Sequence, residues 1–258
     1  MGAVNFSVDL KLVQLLQNEL KLTTFVETGT FKGETIISVS PFFKKCLTVE
    51  LSKECYIKAA ERFIGLKNVI IENDDSASFL KKNQNVLSQE KVCYWLDAHW
   101  CVADKTAGEL SQCPLLNELE AIKSIQPESV ILIDDARLYL CAPPRPHEIS
   151  HWPSLGEILS KLNSLSKNHQ PMILNDVIIF YPRQIDAALR TYAYNESIDF
   201  LKVLDKSRDY DKLMVQLLEK ENLINELDRH NKELDRKLSE VKNSWQHKPF
   251  KWLRRRFS

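Results

Sequence analysis

Five short apolar runs, rich in β-branched residues, recur along the first half of the sequence, and stretches with helical spacing separate them. They cover residues 24–26, 46–50, 69–71, 92–96 and 130–133, and a later run at 177–181 could complete a sheet. Strands that alternate with helices in this way predict an α/β fold with a doubly wound, mostly parallel sheet. Ligands of such sheets bind beyond the carboxyl ends of the strands. The residues expected at those ends are Glu27, Glu50, Asp75, Asp97, His99, Asp134 and Asp135.

A glycine-containing turn follows the first run, and the rest of the predicted sheet is organised around it. Gly29 and Gly33 are two of only six glycines, and Glu27 precedes them in a Glu-x-Gly-x-x-x-Gly spacing. A strand, a glycine turn and a helix N-terminus form the usual nucleotide cradle of α/β sheets, because glycine lets a ligand approach the backbone closely. The spacing matches neither the dinucleotide fingerprint nor a phosphate-binding loop. An ordinary tight turn between a strand and a helix would also explain both glycines.

Three acidic or hydroxyl side chains beyond the turn have both a binding and a capping interpretation. Glu50 follows the turn by about 20 residues, where an acid can accept hydrogen bonds from ribose hydroxyls. It could equally supply negative charge at the N-terminus of the helix predicted over residues 52–63. Asp75 and Ser76 could contact an adenine amino group, or could cap the helix that begins at Ala77.

Composition and charge narrow the possible partners. The net charge of the 258 residues is zero, but the last eleven carry five basic residues and no acid, so the remainder is net acidic by five. This argues against nucleic-acid binding by the body of the protein and places any attraction to anions at the C-terminal end. The six cysteines show no Cys-x-x-Cys spacing, which favours unpaired thiols in a reducing compartment. Neither a signal peptide nor a transmembrane segment is predicted.

Four segments together resemble a known family: residues 25–33, 48–52, 94–100 and 131–137. They are similar to bacterial class I S-adenosylmethionine-dependent methyltransferases, and most of all to polysaccharide-cluster members with the signatures ETGT…G, WLDAHW and LIDDAR. The resemblance covers roughly residues 20–185 and implies a Rossmann-like methyltransferase domain, which we expect over residues 1–205. It implies that S-adenosylmethionine is the cofactor. The residues it assigns to cofactor binding are Glu27, Thr28, Gly29, Gly33, Glu50, Asp75, Ser76 and Asp97.

The chain is also similar to the macrocin type of sugar O-methyltransferase, whose members use a divalent metal, usually Mg²⁺. That resemblance implies metal binding by Asp97, Asp134 and Asp135. Carboxylate oxygens suit Mg²⁺, and the ion could lower the pKa of a sugar hydroxyl. His99 stands where that type has its acidic general base, so His99 with Asp97 is the predicted catalytic pair, although His99 could instead be a fourth metal ligand. Helix capping, with mutual repulsion relieved by solvent, would also explain the three acids.

Residues 208–246 carry a separate signal. Apolar residues recur with a heptad period, which predicts a coiled coil and a homodimer. Asn231 at one core position favours a parallel dimer, whereas Lys220 at another weakens the seam. A single helix packed on the body is the alternative.

The last segment, residues 248–258, has Phe250, Leu253 and Phe257 on one helical face among the five basic residues. The pattern predicts an amphipathic anchor for an anionic membrane surface, and a disordered basic end is the alternative. The coil and this tail are similar to the ends of bacterial surface-glycan assembly enzymes. They imply a location at the inner face of the bacterial cytoplasmic membrane.

These features together predict a sugar O-methyltransferase that acts on a lipid-linked saccharide or other glycan intermediate of a surface polysaccharide, such as an O-antigen or a capsule. A non-catalytic scaffold of the same fold, oligomerised through its coil and bound to a glycosyltransferase, is the second hypothesis. A methyltransferase for a small molecule or for another atom is the third.

Overall fold

The computed structural model describes residues 7–100 and 111–246 and divides the chain into two compact units, Met1–Ser197 and Ile198–Ser258. Cys101 and the basic tail at 248–258 lie outside the described residues. The first unit contains one seven-stranded sheet with the order β3-β2-β1-β4-β5-β7-β6. Its strands are β1 Thr24–Thr28, β2 Lys45–Glu50, β3 Val69–Asn73, β4 Val92–Leu96, β5 Val130–Ile133, β6 His169–Leu174 and β7 Val177–Pro182. Strands β1 to β5 pair in parallel, which confirms the predicted α/β fold with a mostly parallel sheet.

Helices connect the strands and cover both faces of the sheet. They are α1 Leu10–Leu20, α2 Glu34–Val39, α3 Lys53–Arg62, α4 Ser76–Leu87, α5 Leu115–Ala121, α6 Arg137–Leu140, α7 Leu155–Leu165 and α8 Asp186–Glu196. Hydroxyl and carboxylate side chains cap several N-termini, as their sequence positions predict. Ser154 and Glu157, for example, form a reciprocal capping box at the start of α7. Helix α5 ends at Ala121, with Ile122 as its C-cap residue.

Strand alternation produces two hydrophobic cores. Val26 of β1 packs into the core under α4, α5 and α7, whereas its neighbour Phe25 packs into the core under α1, α2, α3 and α8. Tyr94 and Trp95 of β4 divide in the same way. Successive side chains of a strand point to opposite faces, so a run that is apolar throughout requires helices on both faces. The continuous apolar runs of the sequence have this structural cause.

The late part of the sheet differs from the single strand predicted at residues 177–181. Two antiparallel strands, β6 and β7, form a hairpin there, and β7 also pairs antiparallel with β5. Asn175 and Asp176 make the turn, with φ of 48° and 73°. Two left-handed residues are the requirement of the tight hairpin turn that matches strand twist, and asparagine and aspartate tolerate it. An Asn-Asp pair between two apolar runs was the sequence signal for this hairpin.

The second unit is described by one long helix, α9 Phe200–Gln246, which begins eight residues before the predicted coiled coil. The predicted C-terminal helix is therefore present. Its residues from Phe200 to Ser244 are exposed. Within the described ranges 7–100 and 111–246, no helix has the length and apolarity that crossing a bilayer requires.

Candidate functional site

The strand order reverses between β1 and β4, which lie side by side at the centre of the sheet. The backbone continues this pairing past the strands, since the Asp97 amide donates to the Thr28 carbonyl at 3.1 Å. The Asp134 amide likewise donates to the Leu96 carbonyl at 3.2 Å. Crevices at such reversal points are the usual ligand sites of open α/β sheets. The glycine turn and the residues after β4 and β5 therefore meet at one edge, as the sequence predicted.

Glycine is required at position 29 because two backbone segments lie very close together there. It has φ of +83°, and a Cβ there would lie 2.3 Å from the Asp97 carbonyl oxygen. The Gly29 amide donates to the Val49 carbonyl at 3.0 Å, which ties the turn to the neighbouring strand β2 as well. A side chain would force the segments after β1 and β4 apart. Gly29 thus allows these two segments to lie in direct contact at the reversal point, and its predicted contact with a cofactor stays a prediction.

Gly33 has a different structural role. It precedes α2 with φ of +76°, and a Cβ there would lie 2.5 Å from the Phe63 ring. The glycine therefore allows Phe63, just after α3, to pack against the start of α2. This packing explains Gly33 without a ligand, and its predicted cofactor contact is untested.

Glu27 is buried beneath the glycine turn. Its side chain accepts a hydrogen bond of 2.6 Å from the Thr48 hydroxyl, and the Thr48 and Thr30 hydroxyl oxygens also lie 2.6 Å apart. Burial raises the pKa of the Glu27 carboxyl well above its ordinary value, and the hydrogen bond from Thr48 only partly opposes this shift. A cation bound near this carboxyl would favour its ionised form and lower its pKa again.

Glu50 joins the glycine turn to the end of β2. One carboxylate oxygen accepts from the Phe31 amide at 2.7 Å, and the other accepts from the Ser52 amide at 2.8 Å. The first bond helps hold Phe31 at φ of 46°, an uncommon value for a residue with a side chain. The second bond lies next to α3 and agrees with the interpretation of Glu50 as a charge at a helix start. Its predicted role toward a ribose is not tested by these contacts.

Asp75 and Ser76 occupy the end of β3 and the start of α4. The Asp75 carboxylate accepts from the Ser78 amide at 3.0 Å, which confirms the predicted cap. Ser76 is buried, and its hydroxyl hydrogen-bonds to the Glu118 carboxyl. The predicted adenine contact of these two residues remains a prediction.

Glu118 of α5 belongs to the site, and the sequence analysis did not identify it. Only 1% of this residue is exposed. Burial raises the pKa of its carboxyl to about 7, although hydrogen bonds from Ser76 and Thr28 act to lower it. Its Oε1 has no hydrogen-bond partner among the residues that the structure describes. The signal for Glu118 is its place on the apolar face of α5, between Leu115 and Ile122, where an acid is unexpected.

Replacing Glu118 with glutamine should change the pH dependence of stability. The pKa of this carboxyl rises from 4.5 to about 7 on folding, so the folded chain holds one more proton than the unfolded chain between these values. The free energy of unfolding therefore falls as pH rises through this window, by about 3 kcal/mol in total. Between pH 4.5 and pH 8, we expect the free energy of unfolding of Glu118→Gln to rise by about 3 kcal/mol relative to that of the parent, as measured by urea unfolding. An equal difference at both pH values would contradict the assignment.

His99 lies between two carboxylates after β4 and β5. Its Nε2 is 2.8 Å from Asp135 Oδ2, and its Nδ1 is 3.4 Å from Asp97 Oδ1. Less than a tenth of each of these three side chains is exposed. Burial lowers the pKa of His99, but the hydrogen bond with Asp135 and the two negative charges outweigh it, so the pKa is raised. The predicted pair of His99 and Asp97 is therefore brought together, with Asp135 as a third member.

The predicted magnesium site is not supported. Asp135 Oδ1 already accepts from Arg137 at 2.6 Å, and Oδ2 faces His99. Burial raises the pKa of Asp135, but His99 and Arg137 outweigh it and lower the pKa to about 2. Burial also raises the pKa of Asp134 to about 7, and the charge of Asp97 adds to this shift. Across residues 7–100 and 111–246, no three histidine, cysteine or acidic side chains are grouped to hold a metal ion. The donor set of Asp97, Asp134 and Asp135 does not fit Mg²⁺, because both oxygens of Asp135 already have protein partners and burial disfavours the ionised form of Asp134.

Arg137 and Asp176 complete this cluster, and the sequence analysis did not anticipate either. Arg137 Nη1 donates to the Asp176 carboxylate as well as to Asp135, and the Arg137 amide donates to Asp176 Oδ1 at 2.8 Å. Asp176 belongs to the turn between β6 and β7, which reaches the site because β7 pairs with β5. Asp135 itself has φ of 56°. Such strained backbone in a non-glycine residue is typical of functional sites.

An aromatic group from the loop before α7 covers one side of His99. The Trp152 ring lies 5.8 Å from the His99 ring and 5.1 Å from the His147 ring, both edge-on. Gln112 fastens this loop, because its side-chain oxygen accepts from Trp152 Nε1 at 3.1 Å and from the Glu148 amide at 2.8 Å. The proline- and histidine-rich segment over residues 141–154 thus lies against the site.

No family model and no curated protein matches the sequence. Solved structures resemble the fold. The O-methyltransferase TomG from Streptomyces achromogenes, involved in tomaymycin synthesis and solved with S-adenosylmethionine, is 16% identical with a TM-score of 0.44, over 67% of this chain and 78% of TomG. A SAM-dependent methyltransferase from Aquifex aeolicus is 17% identical with a TM-score of 0.40, over 66% of this chain and 87% of its own. At these values the fold assignment rests on the strand order described above.

Proposed function

We propose that the chain is an S-adenosylmethionine-dependent O-methyltransferase. The observation that carries the proposal is the meeting of the glycine turn, two buried acids and the His99 cluster at the reversal point between β1 and β4. A ligand at this point faces carboxyl groups on several sides, and buried carboxyl groups attract a cation strongly. The resemblance of the ETGT…G, WLDAHW and LIDDAR segments to surface-polysaccharide methyltransferases supports a sugar hydroxyl as the acceptor.

The residues present fit such a cofactor. Glu27 lies under the turn, where burial raises the pKa of its carboxyl well above the ordinary value and a cationic group would lower it. Glu50 has both oxygens directed at backbone amides of the turn and the next helix, so it can exchange one of them for ribose hydroxyls. Ser76 and Asp75 border the same edge one strand further along. S-adenosylmethionine supplies an electrophilic methyl group on a good leaving group, so positioning by the protein carries most of the catalysis.

His99 is the proposed acceptor of the hydroxyl proton. S-adenosylmethionine would supply the methyl group to the sugar oxygen, and the imidazole of His99 would take up the proton that this oxygen loses. Asp97 and Asp135 on either side stabilise the imidazolium that results. Trp152 closes the far side of the ring and limits its exposure to water. No step in this sequence passes through a metal.

Glutamine at position 27 should weaken cofactor binding. Because burial raises the pKa of the Glu27 carboxyl well above its ordinary value, binding of a cation should lower this pKa and release a proton. We expect Glu27→Gln to bind S-adenosylmethionine at least about tenfold more weakly and to lose the proton release, by calorimetry in buffers of different ionisation enthalpy. Glu34→Gln, at an exposed acid on α2, is the matched control and should bind as the parent does. Unchanged proton release in Glu27→Gln would remove Glu27 from the site.

Methyl transfer is tested by incubating the full chain with methyl-labelled cofactor and lipid-linked glycans from a bacterial surface-polysaccharide pathway. Label in a glycan hydroxyl supports the proposal. Each reaction is run with Mg²⁺ and with a chelator, because a requirement for the ion would show that Asp135 exchanges Arg137 and His99 for a metal. Cofactor binding without transfer to any glycan would favour a small-molecule substrate, and no cofactor binding would favour the scaffold that partners a glycosyltransferase. Membrane attachment through residues 248–258 is a separate proposal, tested by sedimentation with anionic vesicles.

A further inference from the structure

Helix α9 presents a continuous apolar stripe, which we call the seam. Its members are Tyr210, Leu213, Leu217, Ile224, Leu227, Leu234, Leu238 and Val241, and between 49% and 62% of each is exposed. Together with Lys220 and Asn231 they recur at alternating spacings of three and four residues along an uninterrupted helix. Over 32 residues from Tyr210 to Val241, at 1.5 Å per residue, the seam is about 48 Å long. An apolar stripe of this length and regularity is built to pack against another helix.

Two polar residues interrupt the seam at symmetrical places. Lys220 lies ten residues after its first member, Tyr210, and Asn231 lies ten residues before its last member, Val241. We propose that α9 pairs with α9 of a second copy of this chain in antiparallel orientation, so that Lys220 of each copy faces Asn231 of the other. Reversing one helix exchanges the two ends of the seam. Two interruptions that lie equally far from opposite ends therefore face each other in an antiparallel pair.

In this register each of the eight apolar seam residues faces an apolar residue of the second copy. Reversal of one helix places the first and fourth positions of the heptad opposite each other, so the facing pairs follow from the alignment of Lys220 with Asn231. They are Tyr210 with Val241, Leu213 with Leu238, Leu217 with Leu234, and Ile224 with Leu227. The only polar layer is the one in which the lysine meets the asparagine. Each copy therefore buries eight apolar side chains without leaving one against a polar partner.

The parallel dimer that Asn231 alone suggests is less favourable. In a parallel pair each seam residue faces its own copy, so two Lys220 ammonium groups would meet in the core, and Lys237 would flank Lys242 of the other chain. Like charges in these positions oppose pairing. The whole seam, rather than its asparagine alone, thus specifies the orientation.

Acidic residues near the polar layer favour the antiparallel register. Asp228 and Asp235 lie one turn to either side of Asn231, so they flank the Lys220 ammonium of the second copy. The register also brings Glu221 near Asp228 of the second copy, and Lys220 lies beside that pair of like charges. A lysine on the seam is accommodated because its long stem packs among apolar groups while its charge reaches these carboxylates.

Disulfide trapping in the full chain tests the orientation. A tagged Leu217→Cys chain is mixed with an untagged Leu234→Cys chain under mild oxidation, with Asn222→Cys on the outer face as control and the parent as background for the native thiols. We expect the mixed cross-link at least about tenfold above the control, and no self-cross-link of Leu217→Cys above background. Self-cross-linking of Leu217→Cys would overturn the proposal in favour of a parallel pair. Absence of the mixed cross-link would overturn it as well.

A double-mutant cycle gives a second readout that does not depend on cysteine. In the proposed register, Lys220→Leu and Asn231→Leu act on the same layer, so their effects on the dimer dissociation constant should couple by about tenfold or more in sedimentation equilibrium. In a parallel pair the two residues lie about 16 Å apart along the helix, and their effects would simply multiply. Multiplicative effects, or a monomer at every concentration, would overturn the proposal. Neither result depends on methyl transfer, so failure here and failure of the proposed enzyme activity are distinguishable.

Discussion

Replacing His99 with glutamine should lower kcat for methyl transfer by about 10²- to 10³-fold and leave cofactor affinity unchanged. Glutamine retains a hydrogen-bonding group toward Asp135, 2.8 Å from His99 Nε2 in the parent, but it cannot accept a proton in the reaction. The loss should therefore fall on kcat and not on KM. The buried carboxylates on either side make the effect large, because they stabilise the protonated imidazole that only histidine can form.

A second buried histidine is the control for this substitution. His169 lies at the start of β6, where its Nε2 is 2.9 Å from the Ser129 carbonyl oxygen, away from the carboxyl edge of the parallel strands. His169→Gln should keep kcat within about twofold once both variants are shown to be folded. A His99→Gln enzyme with parent kcat, or one that no longer binds the cofactor, would contradict the assigned role.

Replacing Gly29 with alanine should abolish cofactor binding and destabilise the fold. The new Cβ would lie 2.3 Å from the Asp97 carbonyl oxygen, and a backbone atom cannot move aside as a flexible side chain can. The left-handed φ of +83° adds the ordinary strain of a side chain in that conformation. We expect a loss of about 3–5 kcal/mol in the free energy of unfolding, measured with urea. Binding should fail because the segments after β1 and β4 are forced apart.

A variant at Gly65 is the control that has backbone strain like that of Gly29→Ala but no steric clash. It also has a left-handed φ, +99°, but a Cβ there would meet nothing within 4 Å. Gly65→Ala should therefore show only the strain of about 1–2 kcal/mol and bind the cofactor as the parent does. Equal destabilisation of the two variants would mean that the contact between the glycine turn and Asp97 has no energetic weight.

The strands and the edge that carries the site were predictable from the sequence, for a definite reason. Runs such as Val92–Leu96 and Val130–Ile133 are buried on both faces, so every residue in them is apolar and their bounds are sharp. The position after each run then follows, because parallel strands end at one edge. The convergence of Asp97 and Asp135 on His99 required nothing more than this rule.

The parts of the site that were missed depend on tertiary pairing. Arg137 meets Asp176 only because β7 inserts next to β5, and an Asn-Asp turn signals a hairpin without saying where it docks. The magnesium prediction was not supported for a related reason. Sequence position brings acids to one edge, but it does not reveal that Arg137 and His99 already bind both oxygens of Asp135.

Titration calorimetry of the full chain with S-adenosylmethionine is the decisive measurement, because every proposed role at the sheet edge presupposes that ligand. We expect saturable binding at one site per chain, lost in Gly29→Ala and retained in Gly65→Ala and His99→Gln. No binding by the folded parent at millimolar ligand, or equal binding by Gly29→Ala, would contradict it.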